Sequence, residues 1–174
     1  MFPLKDNIPT DRAPVVTLAL IAANVIVYFL LQDGGLGLPQ GGAAGDWPVD
    51  DYAARACSLT GSCPDDPGDV STVASVFTSM FMHGSIVHLG GNMLFLWIFG
   101  NNVEDSMGPV RFLLFYLLAG IAAFGLQIAI DTGSAVPNIG ASGAVAGVLG
   151  GYILLYPRAR VLTFIFVIFF FTVI

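Results

Sequence analysis

Charge is what this sequence has least of. Six Lys/Arg and 12 Asp/Glu make up 10% of 174 residues, against 56% hydrophobic and 12% aromatic. An ordinary soluble domain carries about a quarter charged residues, so that class is excluded. A mean hydropathy of +0.82 also excludes disorder, which needs low hydrophobicity and high charge. The few basic residues are scattered along the chain and leave no electrostatic footprint for nucleic acid. What remains is a membrane protein with the lipid bilayer around it. At about 20 residues per span, the length holds five or six helices.

Long apolar runs place the first helix at Val15–Leu31, after Pro14 and before Gln32, Asp33 and two glycines. A second is expected from about Ile86 to Phe99 and a third from Phe112 to Ile130. The fourth starts at Ala141 or Ser142 and ends at Tyr156, because Pro157 lacks a donor and clashes with a preceding carbonyl. A fifth runs from Val161 and is still apolar at Ile174. The expected fold is thus an all-α polytopic transmembrane bundle with about five spans present of at least six. Residues 1–14 form an N-terminal tail and residues 15–174 a membrane domain, interrupted by a Gly/Asp/Pro-rich loop over about 32–75.

Basic residues mark cytoplasmic loops. If the helices alternate, Lys5, Arg12, Arg111, Arg158 and Arg160 share the side of the N-terminus, which becomes cytoplasmic, and only Arg55 falls opposite. The long loop and its seven aspartates then lie outside. The short basic turns suit a bacterial inner membrane. A cleaved signal peptide is disfavoured for residues 1–31 by the long apolar core and mixed-charge leader. Cys57 and Cys63 sit in the outer loop, where a disulfide is permitted; two free thiols fit equally well, since sequence does not fix geometry. The fifth run has 14 residues, about 21 Å of helix, short of a hydrocarbon core of about 30 Å. Unpaired carbonyls at that depth are costly, so the natural product is expected to continue past Ile174.

Polar residues inside spans are functional candidates by default. Three stand out: His88, Asn92 and Ser142. His88 and Asn92 are four apart and project from one helix face. His83, five before His88, belongs to the approach segment with Gly84 at the outer edge. Ser142 lies in Asn138-Ile139-Gly140-Ala141-Ser142-Gly143, where a loop turns into the fourth helix. Gly143, Gly147 and Gly151 follow at four-residue intervals, a spacing that lets membrane helices approach closely. A hydroxyl, an imidazole and an amide converging in a wet cavity fit acyl chemistry, with a serine nucleophile and donors for an oxyanion. Taken singly, each has a plainer role: Asn92 as an interhelical hydrogen bond, His88 as a polar tie, Ser142 as a small packing residue. Zinc is disfavoured because His-Gly-Ser-Ile-Val-His lacks the Glu and spacing of the helical zinc motif; no metal or cofactor is expected.

The stretch His83-Gly84-Ser85-Ile86-Val87-His88-Leu89-Gly90-Gly91-Asn92, the turn Gly100-Asn101-Asn102-Val103-Glu104-Asp105, the motif Gly140-Ala141-Ser142-Gly143 and Tyr156-Pro157-Arg158-Ala159-Arg160 together resemble the rhomboid family of intramembrane serine proteases, over about residues 75–165. The resemblance implies a serine endopeptidase that cuts transmembrane segments of other membrane proteins, without cofactor. It implies Ser142 as nucleophile, with His88, Asn92, Gly140 and the backbone donor of Ser142 around the oxyanion, and His83 in an accessory place. The family's base histidine lies on a sixth helix, so this chain by itself is expected to be inactive. Where some relatives carry an aromatic residue four positions after the nucleophile, this chain has Ala146. The alternative is a non-catalytic relative that binds transmembrane helices. A channel or transporter fragment is weaker, because no charged residue stands within a span. Substrate identity and oligomeric state are not legible.

Overall fold

A computed structural model describes residues 2–32, 49–63, 72–167 and 170–173. In chain order they form β1 (Phe2–Asp6), α1 (Val15–Ile26) continued by a π-helical turn (Val27–Leu31), and the short helices α2 (Val49–Tyr52) and α3 (Ala56–Thr60). Next come α4 (Thr72–Thr78) with a 3-10 turn (Ser79–Phe81), then α5 (Ile86–Met107), α6 (Pro109–Ile130) and α7 (Ser142–Leu155). Strands β2 (Val161–Val167) and β3 (Phe170–Val173) complete an antiparallel sheet of order β1-β2-β3.

Local chemistry sets the helix limits. Ser85 caps α5, its Oγ accepting from His88 N at 3.1 Å, as an N-cap hydroxyl does. Gly108, at φ +80°, ends that helix, and Pro109 opens α6 at the position where a missing N–H costs nothing. The core lies where α5, α6 and α7 meet, with Leu96, Val103, Phe112, Tyr116 and Val148 fully buried. Small residues make that meeting close. A Cβ on Gly143 would stand 2.6 Å from Ala123 Cβ, and one on Gly147 2.4 Å from Ala119 Cβ. The opposite face of α7 is open, with Ile153 and Leu154 exposed.

The helical core agrees with expectation; the count of about five spans does not. Only α6, with a mean hydropathy of 2.2 over its apolar window, is long and apolar enough to cross a membrane, among the described residues. A second span is reached only if Val73–Phe81 and Ile86–Met107, bent by 87° at their break, count as one. The physical reasons are separate. Val15–Leu31 and α7 reach about 25 and 21 Å, and α5 carries Asn101, Asn102, Glu104 and Asp105 in its last turns. The fifth run is not a helix: Val161–Val167 is rich in β-branched and aromatic residues and pairs with β1, Asp6 opposite Val161. Such residues favour strands, and an unbroken apolar run carries no period that separates helix from strand. Orientation by alternation of five spans loses its basis with the count. Of the loop expected over 32–75, residues 33–48 and 64–71 lie outside the described residues, as does Ile174.

Two carboxylates tie the start of α1 to the end of α5. Pro14 provides no side-chain cap, and although Val15 N donates to Ala13 O at 2.9 Å, the next two N–H groups of α1 need a partner from elsewhere. Glu104, buried, takes that place: it accepts from Val16 N (2.9 Å), Thr17 N (2.7 Å) and Thr17 Oγ1 (2.8 Å). Asp105 accepts from Asp11 N and Arg12 N, both at 3.0 Å. Glu104→Ala leaves buried donors unpaired and is expected to cost about 3 kcal/mol, with Asp105→Ala costing under about 1 kcal/mol. Denaturant titration of the two variants in detergent checks the order; equal losses contradict it.

Candidate active site

The break between the 3-10 turn and α5 exposes backbone groups that helix bonds no longer satisfy, and the side chain of the residue that caps the π-helical turn after α1 satisfies two of them. Gln32 Oε1 accepts from His83 N at 2.9 Å, and Gln32 Nε2 donates to His83 O at 3.1 Å. Gln32 and His83 are both buried, so His83, in the segment that approaches α5, is packed within the protein. Its ring meets Asn92 on the second turn of α5: Asn92 Nδ2 donates to His83 Nε2 at 3.0 Å, which places the ring proton on Nδ1. His88, half-buried between them in sequence, stacks edge-on to His83 with ring centroids 5.1 Å apart.

The loop before α7 closes over this group. Gly140 N donates to Ser79 O at 2.8 Å, and Gly140 holds φ +114°, a conformation that L side chains rarely adopt. A Cβ there would stand 2.7 Å from His88 Cε1, 2.8 Å from His88 Nε2 and 3.7 Å from Asn92 Nδ2. Backbone therefore lies directly on the imidazole and the amide, and only glycine fits. Two residues on, Ser142 opens α7, exposed, beside a cavity of about 230 Å³ also lined by Ser79, Gln127, Asn138 and Gly140. Ala141 supplies no side-chain cap, so the first N–H groups of α7 remain open to an anion.

The structure thus brings His83, His88, Asn92 and Gly140 into contact. Ser142 stands two residues from that contact, and among the described residues its hydroxyl bonds to neither histidine. Cys57 and Cys63 are joined in a disulfide, Cα–Cα 4.8 Å, in a turn that packs on the same loop. Among the described residues no group of three His, Cys, Asp or Glu is placed to hold a metal. Sequence reading treated Gln32 only as the end of an apolar run and passed over Ser79. A single amide closing such a run was the available signal for the first; the carbonyl of Ser79 carried none.

The rhomboid-domain family model matches residues 70–174. The chain belongs to the rhomboid family. It is 39% identical over 101 residues to the mitochondrial Rhomboid protein 1 of Saccharomyces cerevisiae, covering 56% of this chain and 29% of that one. Rhomboid protease GluP of Bacillus subtilis is 34% identical over 137 residues, 79% of this chain and 24% of its own. The bovine mitochondrial presenilin-associated rhomboid-like protein is 30% identical over 97 residues, 55% and 26%. This chain spans about a quarter of the length of these curated relatives. No solved structure matches it. With its spanning-length α6, it is a helical, integral-membrane rhomboid-family protein.

The Gly140 contact makes a local test. Gly140→Ala is expected to destabilise the protein by about 1–3 kcal/mol, from strain at positive φ and from overlap with His88. Gly90→Ala and Gly91→Ala meet nothing within 4 Å, so they should be neutral or slightly stabilising through helix propensity. Unfolding midpoints of the three variants decide it, and a Gly140→Ala midpoint no lower than the others refutes the close approach.

Proposed function

We propose that this chain carries the nucleophile and oxyanion site of an intramembrane serine endopeptidase acting on transmembrane segments of other membrane proteins. Ser142 attacks the scissile carbonyl. The oxyanion is met by the backbone N–H of Ser142 at the open start of α7, by the free N–H of Asn92, and by His88. Asn92 has two amide hydrogens; His83 accepts one, leaving the other for substrate and fixing the plane of the amide. His83 is a positioning residue in this reading. The observation that carries the proposal is Gly140 lying on His88 and Asn92, because it sets the serine two residues downstream of the group that would bind its oxyanion.

Neither histidine is bonded to Ser142, and His83 Nε2 is occupied by Asn92. The proposal therefore assigns the general base to a group of the full-length protein outside these 174 residues. Loss of the base costs a serine hydrolase roughly a millionfold in turnover. The 174-residue chain alone is expected to cleave nothing measurable. Full-length protein in detergent should be labelled by a fluorophosphonate, with labelling abolished in Ser142→Ala and slowed by about 10²–10³ in Asn92→Ala. Labelling that persists in Ser142→Ala defeats the assignment. Absent labelling, together with capture of transmembrane helices, supports a non-catalytic binder instead.

A further inference from the structure

The loop from Asp131 to Ala141 has little core of its own. Asp131, Thr132, Gly133, Ala135, Val136 and Pro137 are exposed. What fixes its course is a second layer of backbone. Ala54 and Asn138 form an antiparallel bridge, Ala54 N donating to Asn138 O at 3.3 Å and Asn138 N to Ala54 O at 2.8 Å. Three residues along, Cys57 N donates to Ser134 O at 3.1 Å. Side chains extend the register, with Arg55 Nε donating to Ala135 O (3.2 Å) and Thr60 Oγ1 to Thr132 O (2.8 Å).

Two of these donors, Cys57 N and Thr60 Oγ1, sit on a single turn of helix. α3 has five residues, too few to be stable alone. It is closed by Gly61 at φ +71° and by the Cys57–Cys63 bond. The disulfide holds the turn in the shape that presents Cys57 N, Thr60 Oγ1 and the strand-like Ala54 to one face. Beyond Asn138, the next anchor is Gly140 N on Ser79 O. The segment that delivers Ser142 is therefore held between the disulfide-closed turn on one side and the 3-10 turn before α5 on the other.

We propose that the segment Ala54–Cys63, closed at its far end by the disulfide, is the positioning element of the Asn138–Ser142 loop, so that opening the Cys57–Cys63 bond loosens the Ala54–Asn138 bridge and slows reaction at Ser142 while the helical bundle stays folded. The kinetic half of this inference rests on Ser142 being the nucleophile; the structural half does not. The chemistry of opening is simple. A dithiol breaks the Sγ–Sγ bond by attack at Cys63, the less buried of the two sulphurs' residues, and closes to its own cyclic disulfide. Two electrons and two protons pass to the protein, leaving thiols at Cys57 and Cys63. Locality follows from the fold, since the main core of α5, α6 and α7, through Leu96, Phe112 and Val148, holds no residue of this segment, whose Ala54 packs in a separate small cluster with Val76 and Phe124.

The test uses full-length protein in detergent, oxidised, reduced with dithiothreitol and reoxidised, together with the double variant C57S/C63S. Two quantities are followed: amide exchange over residues 138–142 and the rate of fluorophosphonate labelling at Ser142. On reduction, exchange at Asn138 N should rise about tenfold or more and labelling should slow about tenfold. The thermal midpoint should hold, and reoxidation should restore both values. Unchanged exchange and labelling overturn the proposal, as does a collapse of the midpoint, which would make the bond a global staple. Faster exchange with no labelling in either state upholds the splint and defeats the nucleophile assignment. If C57S/C63S fails to fold, reduction of the folded wild-type protein decides the matter.

Discussion

The arrangement around α5 depends on one close approach, the backbone of Gly140 resting on the ring of His88 and near the amide of Asn92. No side chain intervenes, because none fits. That contact converts two separate facts, a polar face on one helix and a serine at the start of another, into a single place. It also explains why so much hydrogen bonding converges nearby. Gln32 grips the peptide of His83, His83 orients Asn92, Ser79 holds Gly140 N, and Ala54 pairs with Asn138. Each bond satisfies a buried or loop group that would otherwise be left unpaired, and each narrows the freedom of the same few atoms.

The far end of the bundle is built on the same logic with charge instead of amides. A carboxylate buried at Glu104 is acceptable because three donors from α1 surround it. Close by, Asp6 of β1 accepts from Tyr152 Oη at 2.7 Å and from Asn102 Nδ2. The N-terminal strand is thereby fastened to α5 and α7, and β2 is fastened to it in turn. Between the two ends lies apolar packing in which glycine and alanine let α6 and α7 touch.

Much of this was legible where the signal is local. Pro14 and Pro157 mark helix limits by their own backbone chemistry, and glycines at four-residue spacing announce a close helix pair. Ser85 and Gly108-Pro109 carry the same kind of signal, but apolar runs alone end one helix at Phe99 and start the next at Phe112, whereas the helices meet at Gly108. The four-residue step from His88 to Asn92 fixes a shared face whatever surrounds it. What could not be read depends on partners distant in sequence. Gln32 reaches His83 across 51 positions, and Asn138 pairs with Ala54 with α4, α5 and α6 between them in the chain. The run from Val161 was misread because an apolar stretch states its dislike of water but not its backbone, and β1 supplied the unpaired edge that made it a strand. Counting such runs as spans likewise ignored how short helices and a sharp bend divide the chain.

Helix α5 carries Asn92 near one end and Glu104 near the other, on one unbroken rod. Twelve residues separate them along the helix, about 18 Å. A lever of that length turns a tilt of about three degrees about its Glu104 pivot into a displacement of about 1 Å at Asn92. Shifts of that size are enough to spoil the alignment of reacting groups. The stiffness of a carboxylate's grip on another helix is thus felt as accuracy at the opposite tip, with no wire of contacts between the two beyond the helix itself.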